Sequence, residues 1–145
     1  MEDKVKAAKL VKYEWDMFAW TIDRCFKEAK GRQGREQWML LEDMLLHARV
    51  LRDFLTRPPK GDDISAAHFV EDIETWRKQA SSLCPYLRVN RKRLNKKLAH
   101  LTYARLTEDE LWEPIPIRDE LQIAWDKFLS SVPEKSKEWF TGPLE

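Results

Sequence analysis

The chain has 145 residues, 43% hydrophobic and 35% charged, with a formal net charge of +1. That balance fits one globular domain over residues 1–145, with a core anchored by seven Trp and six Phe, and it excludes extensive disorder. Near neutrality excludes any argument from global charge for nucleic acid or an anionic membrane, so a charged partner must be argued from local distribution.

Residues 1–12 alternate charge with small side chains rather than building a signal sequence. No apolar run approaches the roughly 20 residues that span a bilayer. The expectation is a cytoplasmic protein with no membrane partner. Cys25 and Cys84 lie far apart, outside any CxxC or Cys/His cluster, and read as two buried thiols.

Residues 4–30 carry Val11, Trp15, Phe18, Ile22, Cys25 and Ala29 at helical spacing, and Gly31 follows as a stop. Residues 35–57 repeat the pattern with Trp38, Leu41, Leu45, Ala48, Leu51 and Leu55, ending at Pro58 and Pro59. Two long helices joined by a short turn should pair antiparallel. After the turn RPPKGDD, Asp63 or Ser65 is placed to cap a shorter helix with Phe69, Ile73 and Trp76 inward.

Pro85 opens a basic helix running to about Tyr103, with Leu83, Leu87, Leu94, Leu98 and Leu101 as its apolar stripe. The segment TEDELWEPIPIRDE, acidic and broken by Pro114 and Pro116, reads as a wrapping loop. Leu121, Ile123, Trp125, Phe128 and Leu129 mark a last main helix, stopped by Pro133, and EKSKEWF adds a further turn. The fold class is therefore all-α: a single-domain bundle of four main helices with one or two short ones.

Residues 88–105, RVNRKRLNKKLAHLTYAR, hold seven Lys or Arg, one His and no acid. Arg93 and His100 fall only about 20° apart around a helix and about 10 Å apart along it. Together they suit one extended phosphodiester, with Arg93 holding a nonbridging oxygen and His100 moving a proton without a metal. The alternative is a histidine satisfied inside the fold by a neighbouring carboxylate or carbonyl. Arg88, Arg91, Lys92, Lys96 and Lys97, with Arg93, are placed to neutralise phosphates, and Tyr103 to stack on a base.

Those cations have a competing internal use. Asp62, Asp63, Glu71, Asp72 and Glu74 form one acidic segment and Glu108, Asp109, Glu110, Glu113, Asp119 and Glu120 another, either of which is placed to pair with the basic helix. His47, Arg52 and Asp53 are polar groups within an apolar helix, with Asp43–His47 and Arg49–Asp53 at i,i+4 spacing. They read as an inter-helix network, with completion of a pocket beside His100 as the functional alternative. His68, Glu71 and Asp72 lack the order and the second pair that a di-metal bundle needs, so neither metal nor cofactor is expected. Trp112 and Trp139, near loops, are the tryptophans expected at a dimer or partner surface.

Arg93, six intervening residues and His100 resemble the Arg and His motif of HEPN domains, small α-helical bundles that often act on RNA. NKKLAHLTYAR, LLHARVLRDFL and DDISAAHFVEDIETW also resemble a group of uncharacterised bacterial helical proteins with no settled activity. The HEPN resemblance implies a metal-independent endoribonuclease, often dimeric with paired motifs, in which Arg93 and His100 are the catalytic pair. Leu94 stands where the family pattern places a polar residue after the Arg, and the nearest Asn is Asn95. The sequence thus carries two functional expectations. One is a HEPN-like module directed at RNA; the other is a catalytically silent helical protein that dimerises or binds a helical protein partner.

Overall fold

The computed structural model describes residues 1–28, 35–99 and 112–143. It is an all-α helical bundle, and no strand occurs among the described residues. In chain order the helices are α1 (Glu2–Glu28), α2 (Arg35–Thr56), a 3-10 turn (Ala66–His68), α3 (Ile73–Ala80), α4 (Pro85–Val89), α5 (Arg91–Ala99), α6 (Pro114–Ser131) and α7 (Glu134–Thr141).

The α1–α2 hairpin is the scaffold. Glu2 and Asp3 in the first turn of α1 and Lys27 in its last match the helix dipole. Glu14 meets His47 across the hairpin, and Leu10 and Val50 border the same cleft, so the helices run antiparallel. Ala8, Val11, Phe18 and Ile22 of α1 join Met44, Leu45, Ala48, Leu51 and Leu55 of α2 in the buried core. Thr21 of α1 is buried, its hydroxyl donating to the Met17 and Phe18 carbonyls of its own helix, which satisfies the donor.

Over this hairpin lies an aromatic cluster. Trp15 stacks on Trp125 with centroids 4.6 Å apart. Phe128 of α6 meets Phe54, Phe140 and Trp76 edge-on. This cluster joins α1, α2, α3, α6 and α7.

Several expectations change. The short helix divides in two: Ser65 caps the 3-10 turn and Asp72 caps α3, its carboxylate accepting the Thr75 backbone N–H at 3.0 Å. Phe69 and Trp76 are buried, but Ile73, in the first turn of α3, is exposed. Pro114 and Pro116 do not break a loop; they open α6, where first-turn amide hydrogens have no intrahelical acceptor to lose. Ile123 points outward from α6 and Trp38 outward from α2. Trp112, expected at a surface, is buried, and Trp139 is half-buried against the core. Cys84 is buried as expected, whereas Cys25 is only partly so.

The basic helix is also two helices. Asn90 interrupts it, its side-chain amide donating to the Tyr86 carbonyl at 2.9 Å while its own carbonyl receives the Leu94 N–H at 2.9 Å. A side chain competing for backbone acceptors is a physical cause of such a break. No described helix is long and apolar enough to cross a membrane.

Candidate nucleic-acid interface

The interface is built on α5, which is seated by Leu94, fully buried in the core. Upstream, Leu83 and Leu87 are buried as the stripe requires, and they anchor α4. The N-terminus of α4 is fixed from α6. Glu120 accepts the Tyr86 N–H at 2.9 Å and the Leu87 N–H at 2.8 Å, satisfying two amides that a helix start leaves without intrahelical acceptors. Burial raises the Glu120 pKa above its usual value, opposed by those two hydrogen bonds and by the nearby Arg88 charge.

Cys84 precedes α4 in the left-handed region at φ 52°. Burial, aided by the Glu120 charge, pushes its thiol up to about 12. It is therefore a packed thiol rather than a nucleophile.

Of the cations expected to face phosphate, Arg91, Lys92 and Lys96 are exposed on α5. None of the three has a carboxylate within ion-pair reach among the described residues. Four of the acidic residues have other partners: Glu74 pairs with Arg77 at 3.0 Å, Asp119 with Arg118 at 2.9 Å, Asp72 caps α3 and Glu120 caps α4. Arg88 donates to the Ser81 carbonyl at 2.5 Å, tying α4 to the end of α3.

Arg93 sits differently. It is half-buried, and its guanidinium carbon lies 4.0 Å from the centre of the Trp112 ring. The charge thus contributes to packing between α5 and the approach to α6. The Glu113 N–H, donating to the Tyr86 hydroxyl at 3.2 Å, fastens the same approach to α4. Asn95 is partly buried on α5. His100, Tyr103 and Leu101 lie outside the described residues, as do the side chains of Lys97 and Leu98 and the acidic residues Glu108, Asp109 and Glu110.

The supporting residues separate into two places. Buried His47 is held across the hairpin, with Nδ1 donating to Glu14 at 2.6 Å and Nε2 lying 3.5 Å from Asp43. Buried Arg52 donates to Asp53, which also lies 3.7 Å from Arg57; Arg49 is not its partner. Arg52 is close enough to lower the Cys84 pKa, which places it near the start of α4. Glu14 as a cross-hairpin partner was missed from sequence because nothing in local spacing links residues 33 apart. Among the described residues, no group of three His, Cys, Asp or Glu side chains is arranged to hold a metal ion.

A cleft of about 530 Å³ lies at the end of the hairpin, lined by Leu10, Val50, Asp53, Arg57, Asp62 and Asp63 among others. Its carboxylates oppose rather than favour a polyanion, so the basic face of α5 is the candidate for phosphate. Comparison with protein-family models, curated proteins and solved structures finds no match for this chain.

Proposed function

We propose that this chain is a HEPN-like, cytoplasmic helical module directed at RNA, contacting the phosphate backbone through Arg91, Lys92 and Lys96. The observation supporting the reading is that these three cations are exposed on one short helix without carboxylate partners among the described residues. A cationic face without carboxylate partners among the described residues is suited to phosphate, where counterion release drives association. The two free cysteines and the lack of a described membrane-spanning helix are compatible with a reducing compartment.

The reaction proposed for this module is metal-independent RNA cleavage. His100 takes the 2′-hydroxyl proton as that oxygen attacks the adjacent phosphorus; the bond to the 5′ oxygen breaks, leaving a cyclic phosphate, and a proton returns to the leaving oxygen. Arg93 stabilises the charge gathering on the nonbridging oxygens. Its seat over Trp112 would restrict the guanidinium to few orientations.

Binding and cleavage separate experimentally. RNA affinity measured against salt should show a linear log–log dependence, and Arg91→Ala/Lys92→Ala/Lys96→Ala should reduce its slope by about 2, at roughly 0.7 per phosphate on single strands. Cleavage should resist EDTA and disappear in His100→Ala. Purified protein that neither binds nor cleaves RNA at low salt overturns the proposal. That outcome would favour the second reading, a catalytically silent interaction protein, supported by apolar side chains exposed along α1 and α2.

A further inference from the structure

At the N-terminal end of α1, a cavity of about 590 Å³ is bordered by that helix, the 3-10 turn and α7. Its size is that of a small-molecule pocket. Phe69, Val70, Pro133 and Trp139 supply apolar walls, and the Phe69 ring is held edge-on by Phe140 with 5.2 Å between centroids. Hydrogen bonds fasten the surrounding elements to one another: Lys4 Nζ donates to the His68 carbonyl at 3.0 Å, and the Glu71 N–H donates to the Ser131 carbonyl at 2.9 Å. The walls are thus fixed by the fold itself.

The polar groups around these walls have bonding capacity that the fold leaves unused. Ser136 borders the cavity and is only 6% exposed, yet its hydroxyl has no hydrogen-bond partner among the described residues. Lys4 keeps two ammonium hydrogens after its bond to the His68 carbonyl, and neither Lys4 nor Lys135 lies within ion-pair reach of a carboxylate among the described residues. The Ser65 N–H donates to His68 Nδ1 at 3.3 Å, which leaves the Nε2–H of the neutral ring as a donor. Glu138 is the one carboxylate among the described residues that line the cavity. It stands three residues beyond Lys135, on the same side of α7, and the two are not paired. Lys137 is taken by Glu134 at 2.6 Å. Glu138 also borders a second cleft with Lys9 and Lys12, neither of which is within ion-pair reach of it; Lys12 pairs with Asp16.

We propose that this cavity binds a free α-amino acid with an apolar side chain. Lys4, Lys135 and the Ser136 hydroxyl take the carboxylate, with the His68 Nε2–H as a further donor; Glu138 takes the ammonium; Phe69, Val70 and Trp139 cover the side chain. A buried hydroxyl without a partner costs free energy, and a ligand carboxylate supplies the missing acceptor. Both signs of charge beside one apolar wall select a zwitterion. A simple carboxylic acid leaves Glu138 without a cation, and a simple amine meets two ammonium groups with no anion to offer them. A phosphate monoester fits worse than either, because its second charge adds to the repulsion from Glu138. A peptide presents only one of the two charged ends, the other being an amide.

None of these residues lies on α5, so amino-acid binding and RNA binding succeed or fail separately. Calorimetry and saturation-transfer NMR with L-phenylalanine should give a Kd on the order of 0.1 mM, in keeping with a ligand of about twelve non-hydrogen atoms. Phenethylamine and 3-phenylpropionate, each lacking one charged end, should bind at least ~10-fold more weakly, the loss of one charge-assisted hydrogen bond. Glu138→Gln should remove the preference for L-phenylalanine over 3-phenylpropionate, and Lys4→Gln/Lys135→Gln the preference over phenethylamine. These side chains are exposed, so both variants should keep the wild-type circular dichroism spectrum. Ser136→Ala should weaken L-phenylalanine and 3-phenylpropionate by the same factor, about tenfold. Absence of L-phenylalanine binding at ~10 mM, a hundredfold above that Kd, overturns the proposal. So does 3-phenylpropionate binding as tightly as the amino acid, an unchanged preference in Glu138→Gln, or phenyl phosphate binding more tightly than L-phenylalanine.

Discussion

Replacing Arg93 with Ala distinguishes a packing cation from a phosphate cation. Its guanidinium lies 4.0 Å from the Trp112 ring centre, and the indole is only 7% exposed. A cation held on a largely desolvated ring belongs near the upper end of the cation–π range, about 1–2 kcal/mol. For a chain of this size that loss lowers Tm by about 3–7 °C. Arg93→Lys keeps the charge but loses the planar stack, so it should recover only part of the difference. Thermal unfolding followed by far-ultraviolet circular dichroism reads both variants. A double-mutant cycle with Trp112→Phe should return a coupling of about 1 kcal/mol, because the two groups are in direct contact. In parallel, the salt slope of RNA binding should fall less in Arg93→Ala than in Arg91→Ala or Lys92→Ala. Unchanged Tm in Arg93→Ala would refute the argument, showing that the Trp112 ring does not hold the guanidinium in place.

Three further outcomes follow from the helix starts and the thiols. Hydrogen bonds from the Thr75 hydroxyl and backbone N–H hold the Asp72 pKa below 3.8, so its capping contribution is present above 3.8 and is lost as pH falls through the lower folded value; Asp72→Asn should flatten that acid limb of Tm against pH. Glu120 behaves oppositely, because burial raises its folded pKa above 4.5: its favourable proton linkage is complete below 4.5 and is lost as pH rises through the folded value. Wild type should therefore gain on Glu120→Gln as pH falls through that window, read as the difference in their urea midpoints. Cys84, buried with its thiol near 12, should resist a thiol-specific reagent at pH 8 until the protein unfolds, whereas Cys25 should label first; rapid labelling that survives Cys25→Ser contradicts this.

Helices α1 and α2 were legible because their apolar spacing reports burial directly: Val11, Phe18, Leu45 and Leu51 are where period 3.6 puts them. The misread segments share a cause. Pro114 and Pro116 have opposite meanings inside a helix and in its first turn, and only the position of Glu113 as N-cap decides between them. Asn90 breaks the basic run through a side-chain bond to Tyr86 that spacing alone does not reveal. Trp38 shows the limit of periodicity, since it lies on the expected stripe of α2 yet is exposed. For the site, local sequence located the cations of α5, but the contact between Arg93 and Trp112 is tertiary and no spacing rule announces it.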